Sequence, residues 1–385
     1  MSDPTEYLTE YITEHPVQPP TSLKGRGAAA ATPHRFVSVQ RQTEDDGWPH
    51  DDGDPGDAQP FAPRTQVREE TARRVLSRND SPDIGFELSI NPYRGCEHGC
   101  IYCYARPTHS YLNLSPGLDF ETRLVAKTNA AEALRAELAA PSFKPGRLCL
   151  GAATDCYQPI ERRLHITRAV IEVLAGCGHP FSIITKGAGI ERDLDLLAPL
   201  AAQRRVGVYI SLTTLDGELA RTLEPRAAAP QRRLQIIERL SRAGIPVGVS
   251  VSPTIPFINE PELEQILAAA RDAGARTAFS IPLRLPWELA ELFQDWLQRH
   301  HPQRAERVLA RVREMRGGAL NDARFGSRMR GEGVWADLLR QRFVKACARL
   351  GLGRERFDYD FSGFCAPRAP AKAAGQGDSR QQSLF

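Results

Sequence analysis

The pattern of apolar residues changes near residue 86 and from there predicts strands alternating with helices. Six short stretches rich in Val, Ile, Leu, Thr and Phe have the length and composition of buried strands; they are 86–93, 147–154, 180–187, 205–214, 246–256 and 276–285. Between them, apolar residues recur every three or four positions, as in amphipathic helices, at 129–140, 166–178, 192–203, 231–244 and 261–274. This alternation predicts parallel βα units wound in one direction.

The flanking segments differ from this core. Residues 1–70 are rich in Gly, Pro and acidic residues without a sustained apolar period, which predicts a disordered tail. Residues 71–300 are predicted to form an α/β fold, a partial barrel or open sheet with its site at the carboxyl ends of the strands. A basic helical extension is predicted over residues 301–365, and a second disordered tail over residues 366–385.

Charge and hydropathy limit the possible classes of function. Residues 1–60 hold eleven Asp and Glu against four Lys and Arg, whereas residues 301–385 hold seventeen Lys and Arg against nine Asp and Glu. A basic surface favours a polyanion such as nucleic acid, although a solvated helical face is the preferred explanation for residues 301–316 alone. Without a long apolar run or a signal-peptide pattern, we expect no membrane span and a cytoplasmic protein with reduced cysteines.

Three of the eight cysteines lie on one predicted loop. Cys96, Cys100 and Cys103 have the spacing C-x3-C-x2-C directly after the first predicted strand. In a reduced compartment this group indicates metal or redox chemistry rather than a disulfide. A [4Fe–4S] cluster has four irons, so three thiolates would leave one iron open to another ligand.

Two alternatives remain open from the spacing alone. Structural zinc usually takes four protein ligands, and His98 or His109 would supply the fourth. A fully ligated electron-transfer cluster would take Cys149 or Cys156 as its fourth cysteine.

The cysteine motif, with Tyr102 before its last cysteine, resembles that of the radical S-adenosylmethionine (radical SAM) superfamily. The resemblance covers residues 80–350 and implies a partial (βα)6 barrel. Within the superfamily, the chain is similar to the branch of spore photoproduct lyase and "DNA repair photolyase" relatives in the stretches "INPYRGCEHGCIYCYAR", "TDCYQPIE", "ITKG", "LEPRAAAP" and "RAGIPVGVSVSPTIPFIN".

The resemblance implies a radical enzyme with two cofactors. A [4Fe–4S] cluster would be held by the three cysteines, and its open iron would bind the amino and carboxylate groups of S-adenosylmethionine. An electron would cleave the sulfonium C–S bond, and the 5′-deoxyadenosyl radical would abstract hydrogen from the substrate. A reductant protein such as flavodoxin or ferredoxin would supply the electron.

Predicted cofactor contacts lie where strands end: Gly151, Ala152, Asp155, Lys186, Ser211 and Pro253. The resemblance implies that Lys186 contacts the methionine carboxylate. Gly151 and Ala152 leave room for a ligand beside a strand end. Asp155 suits a helix cap as well as a cofactor contact.

Phenol and thiol groups are the candidates for returning a hydrogen atom to the product. Tyr102 and Tyr104 flank Cys103, and the resemblance makes Tyr104 the better relay, while Tyr102 is expected to shield the cluster from water. Ala152 stands where the lyase family has its hydrogen-donating cysteine, so the resemblance does not identify the substrate of this chain. Cys156 is a candidate replacement.

Two features outside the barrel favour nucleic acid. Four arginines lie among glycines and aromatic residues, suited to phosphate contact or to closing the barrel mouth over a smaller anion: Arg316, Arg324, Arg328 and Arg330. The chain ends in a peptide resembling the one by which bacterial DNA repair and replication proteins bind the sliding clamp, with Gln382 in place of the usual leucine: Gln381, Gln382, Ser383, Leu384 and Phe385.

These features together predict a radical SAM enzyme of lyase-like chemistry acting on a nucleic-acid lesion or modified base. Two alternatives are a radical SAM enzyme for a peptide or small metabolite, and a non-catalytic metal-binding interaction module.

Overall fold

The computed structural model describes residues 23–36, 64–355 and 357–368. The strands in these residues are β1 (Gln66–Glu70), β2 (Leu76–Arg78), β3 (Leu88–Ile90), β4 (Tyr93–Arg94), β5 (Arg123–Lys127), β6 (Leu148–Leu150), β7 (Phe181–Thr185), β8 (Val206–Ser211), β9 (Val247–Thr254) and β10 (Thr277–Pro282).

The α-helices in the same residues comprise three single turns and nine longer helices. They are α1 (Asp119–Thr122), α2 (Ala130–Leu138), α3 (Glu161–Leu164), α4 (Ile166–Gly176), α5 (Leu194–Ala202), α6 (Gly217–Leu223), α7 (Pro230–Arg242), α8 (Leu263–Asp272), α9 (Leu289–His300), α10 (Pro302–Glu314), α11 (Ser327–Arg330) and α12 (Gly333–Leu350). None of these helices is long and apolar enough to cross a bilayer.

The main sheet confirms the predicted partial (βα)6 fold. Its strand order is β10-β9-β8-β7-β6-β3-β2, and the six strands from β3 to β10 in this sheet pair in parallel. Only β2 is antiparallel to its neighbour, at the edge beside β3. Each of the six predicted strand stretches contains one parallel strand, so the carboxyl ends of all six meet at one edge.

One face of the sheet forms the main core with the helices. Alternate strand residues, which point to the same face of a sheet, are fully buried there, including Leu150, Ile183, Val208 and Val249. Helices α4, α5, α7 and α8 contribute the facing apolar side chains. Helix α12 packs on α8 and β10, so the basic helical extension is part of the same fold.

The opposite face is covered in part by residues 357–364, here called the C-terminal plug. A Cβ atom at Gly207 would lie 2.1 Å from the Phe357 ring, so this position has room only for glycine. The Phe357 ring packs at 4.9 Å from that of Tyr209, centroid to centroid. At the far end of the plug, Phe364 contacts Phe143 at 5.7 Å. The plug therefore closes part of the inner face.

Two parts of the predicted N-terminal tail are ordered, which corrects that prediction. Strand β1 pairs in parallel with β5, and both belong to a small sheet of order β1-β5-β4. Residues 23–36, here called the strap, pack against the cysteine loop. The pairing partner of β1 is more than fifty residues away, so its own sequence carries little signal for it. Residues 1–22, 37–63 and 369–385 lie outside the described residues.

Candidate active site

The three cysteines lie on the loop that follows β4. Cys96 and Cys100 are buried, Cys103 is half-buried, and all three are free thiols. Burial raises the pKa of Cys100 to about 12, and burial together with Asp155 and the other two thiols raises that of Cys96 well above its ordinary value. Such thiols are poor free nucleophiles. A metal centre, whose positive charge deprotonates coordinated thiols, fits this donor set.

Arg106 fixes the backbone of this loop through hydrogen bonds to its carbonyl groups. Its guanidinium is fully buried, donates to the carbonyls of Cys100 and Gly99 at 2.9 Å each, and pairs with the fully buried Glu121. Glu121 also accepts the backbone N–H groups of Gly27 and Ala28 at 3.0 and 2.9 Å. The strap and the cysteine loop are thus joined through one buried ion pair.

Gln158 holds the residues on both sides of Cys96. Its amide oxygen accepts the backbone N–H of Glu97 at 2.8 Å, and its amide nitrogen donates to the carbonyl of Gly95 at 3.2 Å. Since Gln158 lies on the loop after β6, the second βα unit positions the first cysteine. Sequence reasoning assigned this glutamine no role, although it quoted the surrounding "TDCYQPIE" stretch.

Asp155 connects the cysteine loop with the end of β7. Its carboxylate pairs with His98 at 3.3 Å and accepts from the Thr185 hydroxyl and the Lys186 backbone N–H, both at 2.6 Å. Although burial opposes ionisation, His98 and these donors hold the pKa of Asp155 below its ordinary value. The carboxylate is therefore occupied by protein groups, and it is not the cap of α3, which begins at Glu161.

Lys186 and Tyr102 lie beside a buried charge network. Glu224 accepts hydrogen bonds from Tyr102 and Thr213 and pairs with Arg233. Although burial opposes ionisation, Arg233 and then Lys186 lower the pKa of Glu224 to about 2. Burial, with Glu224 beside it, raises the pKa of Tyr102, so its hydroxyl stays protonated.

The network bears on two predicted roles. The Lys186 ammonium lies 5.8 Å from the centre of the Tyr102 ring, which places it at the cysteine loop as expected for a cofactor contact. Tyr102 is buried and anchored, so its position suits shielding better than hydrogen transfer. Glu224 belongs to the quoted "LEPRAAAP" stretch, but nothing in the sequence pairs it with Arg233.

Tyr104 lies at the mouth of the site, with 46% of its surface exposed. Its hydroxyl donates to the Ala152 carbonyl after β6, and the guanidinium carbon of Arg284, after β10, lies 5.2 Å from its ring centre. Among the described residues, Arg284 has no hydrogen-bond or ion-pair partner. Tyr104 thus contacts the ends of both β6 and β10, and the N–H groups of the neighbouring Arg284 have no acceptor among the described residues.

Most of the other predicted cofactor residues also reach this edge. Gly151 and Ala152 follow β6, Ser211 is the last residue of β8, and Pro253 lies near the end of β9. Cys156 does not face the edge: it is fully buried in the main core, with its sulfur 4.0 Å from the Leu150 carbonyl. Its role as a hydrogen donor stays a prediction.

Three of the four predicted nucleic-acid arginines have partners within the protein, and the contact of all four with nucleic acid stays a prediction. Arg316 is buried and donates to the carbonyls of Pro282 and Leu283, because a buried guanidinium needs acceptors. Arg324 pairs with Asp322 and Glu332, and Arg328 with Asp83. Arg330 is exposed and has no ion pair within the described part of the chain.

Comparison with known proteins gives the family of the chain. A sequence model of the Radical SAM superfamily matches residues 90–270. Uncharacterized protein Rv2578c of Mycobacterium tuberculosis (strain ATCC 25618 / H37Rv) is 41% identical over 234 residues, which cover 60% of this chain and 68% of that protein. The chain belongs to the radical SAM superfamily.

This radical SAM protein has further relatives. Uncharacterized protein MJ0683 of Methanocaldococcus jannaschii is 24% identical over 222 residues, 58% of this chain and 79% of that protein. Spore photoproduct lyase complexed with dinucleoside spore photoproduct matches with a TM-score of 0.53 and 15% identity, over 76% of this chain and 82% of that chain. At this identity the likeness shows a shared fold.

Membership confirms the predicted cofactors. Radical SAM proteins use a [4Fe–4S] cluster and S-adenosylmethionine, and a spore photoproduct lyase of the same fold has been solved with bound AdoMet. Cys96, Cys100 and Cys103 are the residues that would hold the cluster. The histidines considered as zinc ligands have other contacts, since His98 pairs with Asp155 and His109 contacts the carbonyl of Arg123 at 2.9 Å.

Proposed function

We propose that this radical SAM enzyme acts on a nucleic-acid lesion or modified base. When bound, the cluster and S-adenosylmethionine supply a carbon-centred radical that abstracts a hydrogen atom. The chain's own residues would do the rest: Arg106 and Gln158 hold the cysteine loop, Lys186 would bind the methionine carboxylate, and Tyr104 would border the mouth where the substrate enters.

The observation that supports nucleic acid as the substrate is a pair of exposed rings, Tyr104 and Phe325, each contacted by an arginine. Arg284 lies over Tyr104, and Arg328 lies 4.7 Å from the centre of Phe325, which is 62% exposed. Arg284 and Arg328 are close enough for their charges to interact. Aromatic rings stack with bases of unpaired nucleotides, at about 1–3 kcal/mol per base, and the unused N–H groups of Arg284 suit a phosphate.

The radical chemistry is tested by 5′-deoxyadenosine release. Anaerobically purified, iron-reconstituted protein receives reductant and S-adenosylmethionine, with Cys100→Ala measured in parallel. We expect release by the parent and none by the variant, because the variant lacks one cluster ligand. Reduced flavodoxin or ferredoxin can then replace the chemical reductant as the proposed natural donor.

The substrate class is tested separately by binding of single- and double-stranded DNA over a range of salt concentrations. Phosphate contacts predict an affinity that falls steeply as salt rises. Arg284→Gln should weaken binding and flatten this salt dependence, whereas Arg349→Gln, an exposed arginine late in α12, serves as a control for charge alone. Undetectable binding at low salt would refute nucleic acid as the substrate and leave the radical chemistry standing.

Tyr104 is proposed to return a hydrogen atom to the substrate, because its hydroxyl is at the mouth. Tyr104→Phe should retain the cluster and 5′-deoxyadenosine release but slow product formation, because the variant lacks the hydroxyl hydrogen that the relay would donate. Tyr111→Phe, on another exposed phenol, is the matched control. Unchanged product formation in Tyr104→Phe would assign Tyr104 to packing alone.

The clamp-like peptide, residues 381–385, lies outside the described residues, and clamp binding is a proposal from its sequence. A Leu-Phe pair that binds a partner needs an apolar pocket there. Deleting Leu384 and Phe385 should abolish binding to purified bacterial sliding clamp and leave 5′-deoxyadenosine release unchanged. Equal clamp binding by the parent and the truncated protein would contradict the proposal.

A further inference from the structure

A cavity separate from the mouth of the candidate active site lies beside the cysteine loop, where four parts of the chain meet. Its volume is about 450 Å³, and we call it the basic pocket. The strap, the two residues before β1, the cysteine loop and the loop between α6 and α7 line it with Lys24, Gly25, Arg26, Arg64, Thr65, Glu97 and Arg226. None of these residues belongs to the mouth around Tyr104 and Arg284.

The floor of the basic pocket is fixed by hydrogen bonds. Thr65 donates to Glu97 at 2.9 Å, and Arg226 pairs with the same carboxylate oxygen at 3.1 Å. The Thr65 hydroxyl also accepts from Arg226 and Arg26, both at 3.3 Å. Arg26 and Glu97 are more than nine-tenths buried. The two guanidinium groups are therefore held near each other before any ligand arrives.

The positive charge of the basic pocket is not balanced by its own residues. Four cationic side chains line it against one carboxylate, Glu97. Burial and, after it, the charge of Arg226 lower the pKa of Arg26, while Glu121 and Glu97 oppose this shift. Lys24 and Arg64 are exposed at the rim, and neither has a hydrogen-bond or ion-pair partner among the residues that the structure describes.

We infer that the basic pocket binds a phosphate group. Arginine donors in a fork and a lysine match the several oxygens of a phosphate better than a simple halide or a single carboxylate. The group would come from a small phosphate compound or from the backbone of a nucleic acid chain. The inference does not rest on the proposed substrate, since the pocket is separate from the mouth.

Calorimetric titration of the full-length, cluster-loaded protein under anaerobic conditions tests this inference. Inorganic phosphate is one probe, and a thymidine octanucleotide without terminal phosphates is the other. Lys24→Gln/Arg64→Gln should raise the Kd by about tenfold, because it removes two charged donors. Arg73→Gln/Arg74→Gln removes the same charge from exposed positions outside the pocket and should change the Kd less than twofold.

The two probes separate the possible sources of the phosphate group, and a loss for both probes means that the site accepts either source. A loss confined to inorganic phosphate identifies a site for small phosphate compounds, and a loss confined to the octanucleotide identifies a backbone site. Absence of binding of either probe to the parent at low salt would overturn the inference, as would equal losses in both double variants. Iron content and the unfolding midpoint must match the parent in both variants, which the exposed positions of all four residues favour.

Discussion

Replacing Arg233 with Met should destabilise the protein strongly, because Arg233 holds the charge of Glu224 inside the core. Both side chains are almost completely buried, at 1% and 0% exposure. Besides the ion pair, Arg233 donates to the carbonyls of Ala228 at 2.7 Å and Ser211 at 3.1 Å. Met fills a similar volume but provides no donor, so the variant leaves a buried carboxylate without its main counter-charge.

The magnitude follows from two separate arguments. Breaking a buried ion pair by removing one partner typically costs about 3–5 kcal/mol. The pKa of Glu224 falls from 4.5 to about 2 in the fold, which corresponds to about 3 kcal/mol of net stabilisation of its charged form. We therefore expect Arg233→Met to lower the free energy of unfolding by about 3–5 kcal/mol.

Arg232, the neighbouring residue on α7, provides a matched control. It pairs with Glu191 but is 32% exposed, and Glu191 keeps a second partner in Arg239. Arg232→Met should therefore cost about 1 kcal/mol or less. Urea unfolding of the cluster-loaded proteins at neutral pH, followed by circular dichroism, compares the midpoints at constant slope.

A double-mutant cycle with Glu224→Gln tests whether the two residues act as a pair. Because Arg233→Met/Glu224→Gln buries no unpaired charge, it should lose less stability than the sum of the single variants, by about 1–3 kcal/mol. Equal stability of Arg233→Met and Arg232→Met, or strict additivity in the cycle, would refute the reasoning.

Two further predictions concern the surroundings of the cysteine loop. A Cβ atom at Gly27 would lie 1.9 Å from the backbone oxygen of Gly99, so Gly27→Ala should displace the strap, destabilise the protein by about 1–3 kcal/mol and speed the loss of the cluster in air. Gly176→Ala, with open space around it, is the control. Equal rates of cluster loss, followed by its visible absorbance, in the two variants would contradict the prediction. Burial lowers the pKa of His109 from 6.5 to about 4, so the folded protein favours its neutral form, and the stability it contributes above pH 6.5 is lost as pH falls toward 4. Between pH 7.5 and pH 5 this loss of stability amounts to about 2 kcal/mol. Urea unfolding midpoints should show the loss in the parent and not in His109→Gln. Parallel pH profiles of parent and variant would show that His109 does not titrate as described.

The sequence was sufficient for the repeating part of the fold, because each βα unit carries its own pattern. The apolar stretch around Ile183 predicts β7 without knowledge of any other residue, and the spacing of Cys96, Cys100 and Cys103 predicts a shared metal centre in the same way. Strand β1 was missed because its residues alternate weakly between half-buried and exposed and depend on β5 for pairing.

The remaining parts of the site depend on contacts between distant residues. Glu224 has no role in the sequence analysis, yet it belongs to a buried charge network. Asp155 is predicted there as a cofactor contact or a helix cap, yet its carboxylate connects the cysteine loop with the end of β7. Arg316 is an arginine whose glycine-rich sequence surroundings suggest exposure, but the fold buries it among backbone carbonyl groups. Local pattern predicts which elements form, and the long-range packing decides what each polar side chain contacts.

The C-terminal plug has a consequence for the order in which the protein folds. Phe357 packs over Gly207, which lies 150 positions earlier in the chain, and it can do so only after β8 has found its neighbours. Contacts of such long range form late, because the chain must first give up the entropy of a large loop. We therefore expect the C-terminal plug to pack onto the sheet late in folding, after the helices have covered the other face.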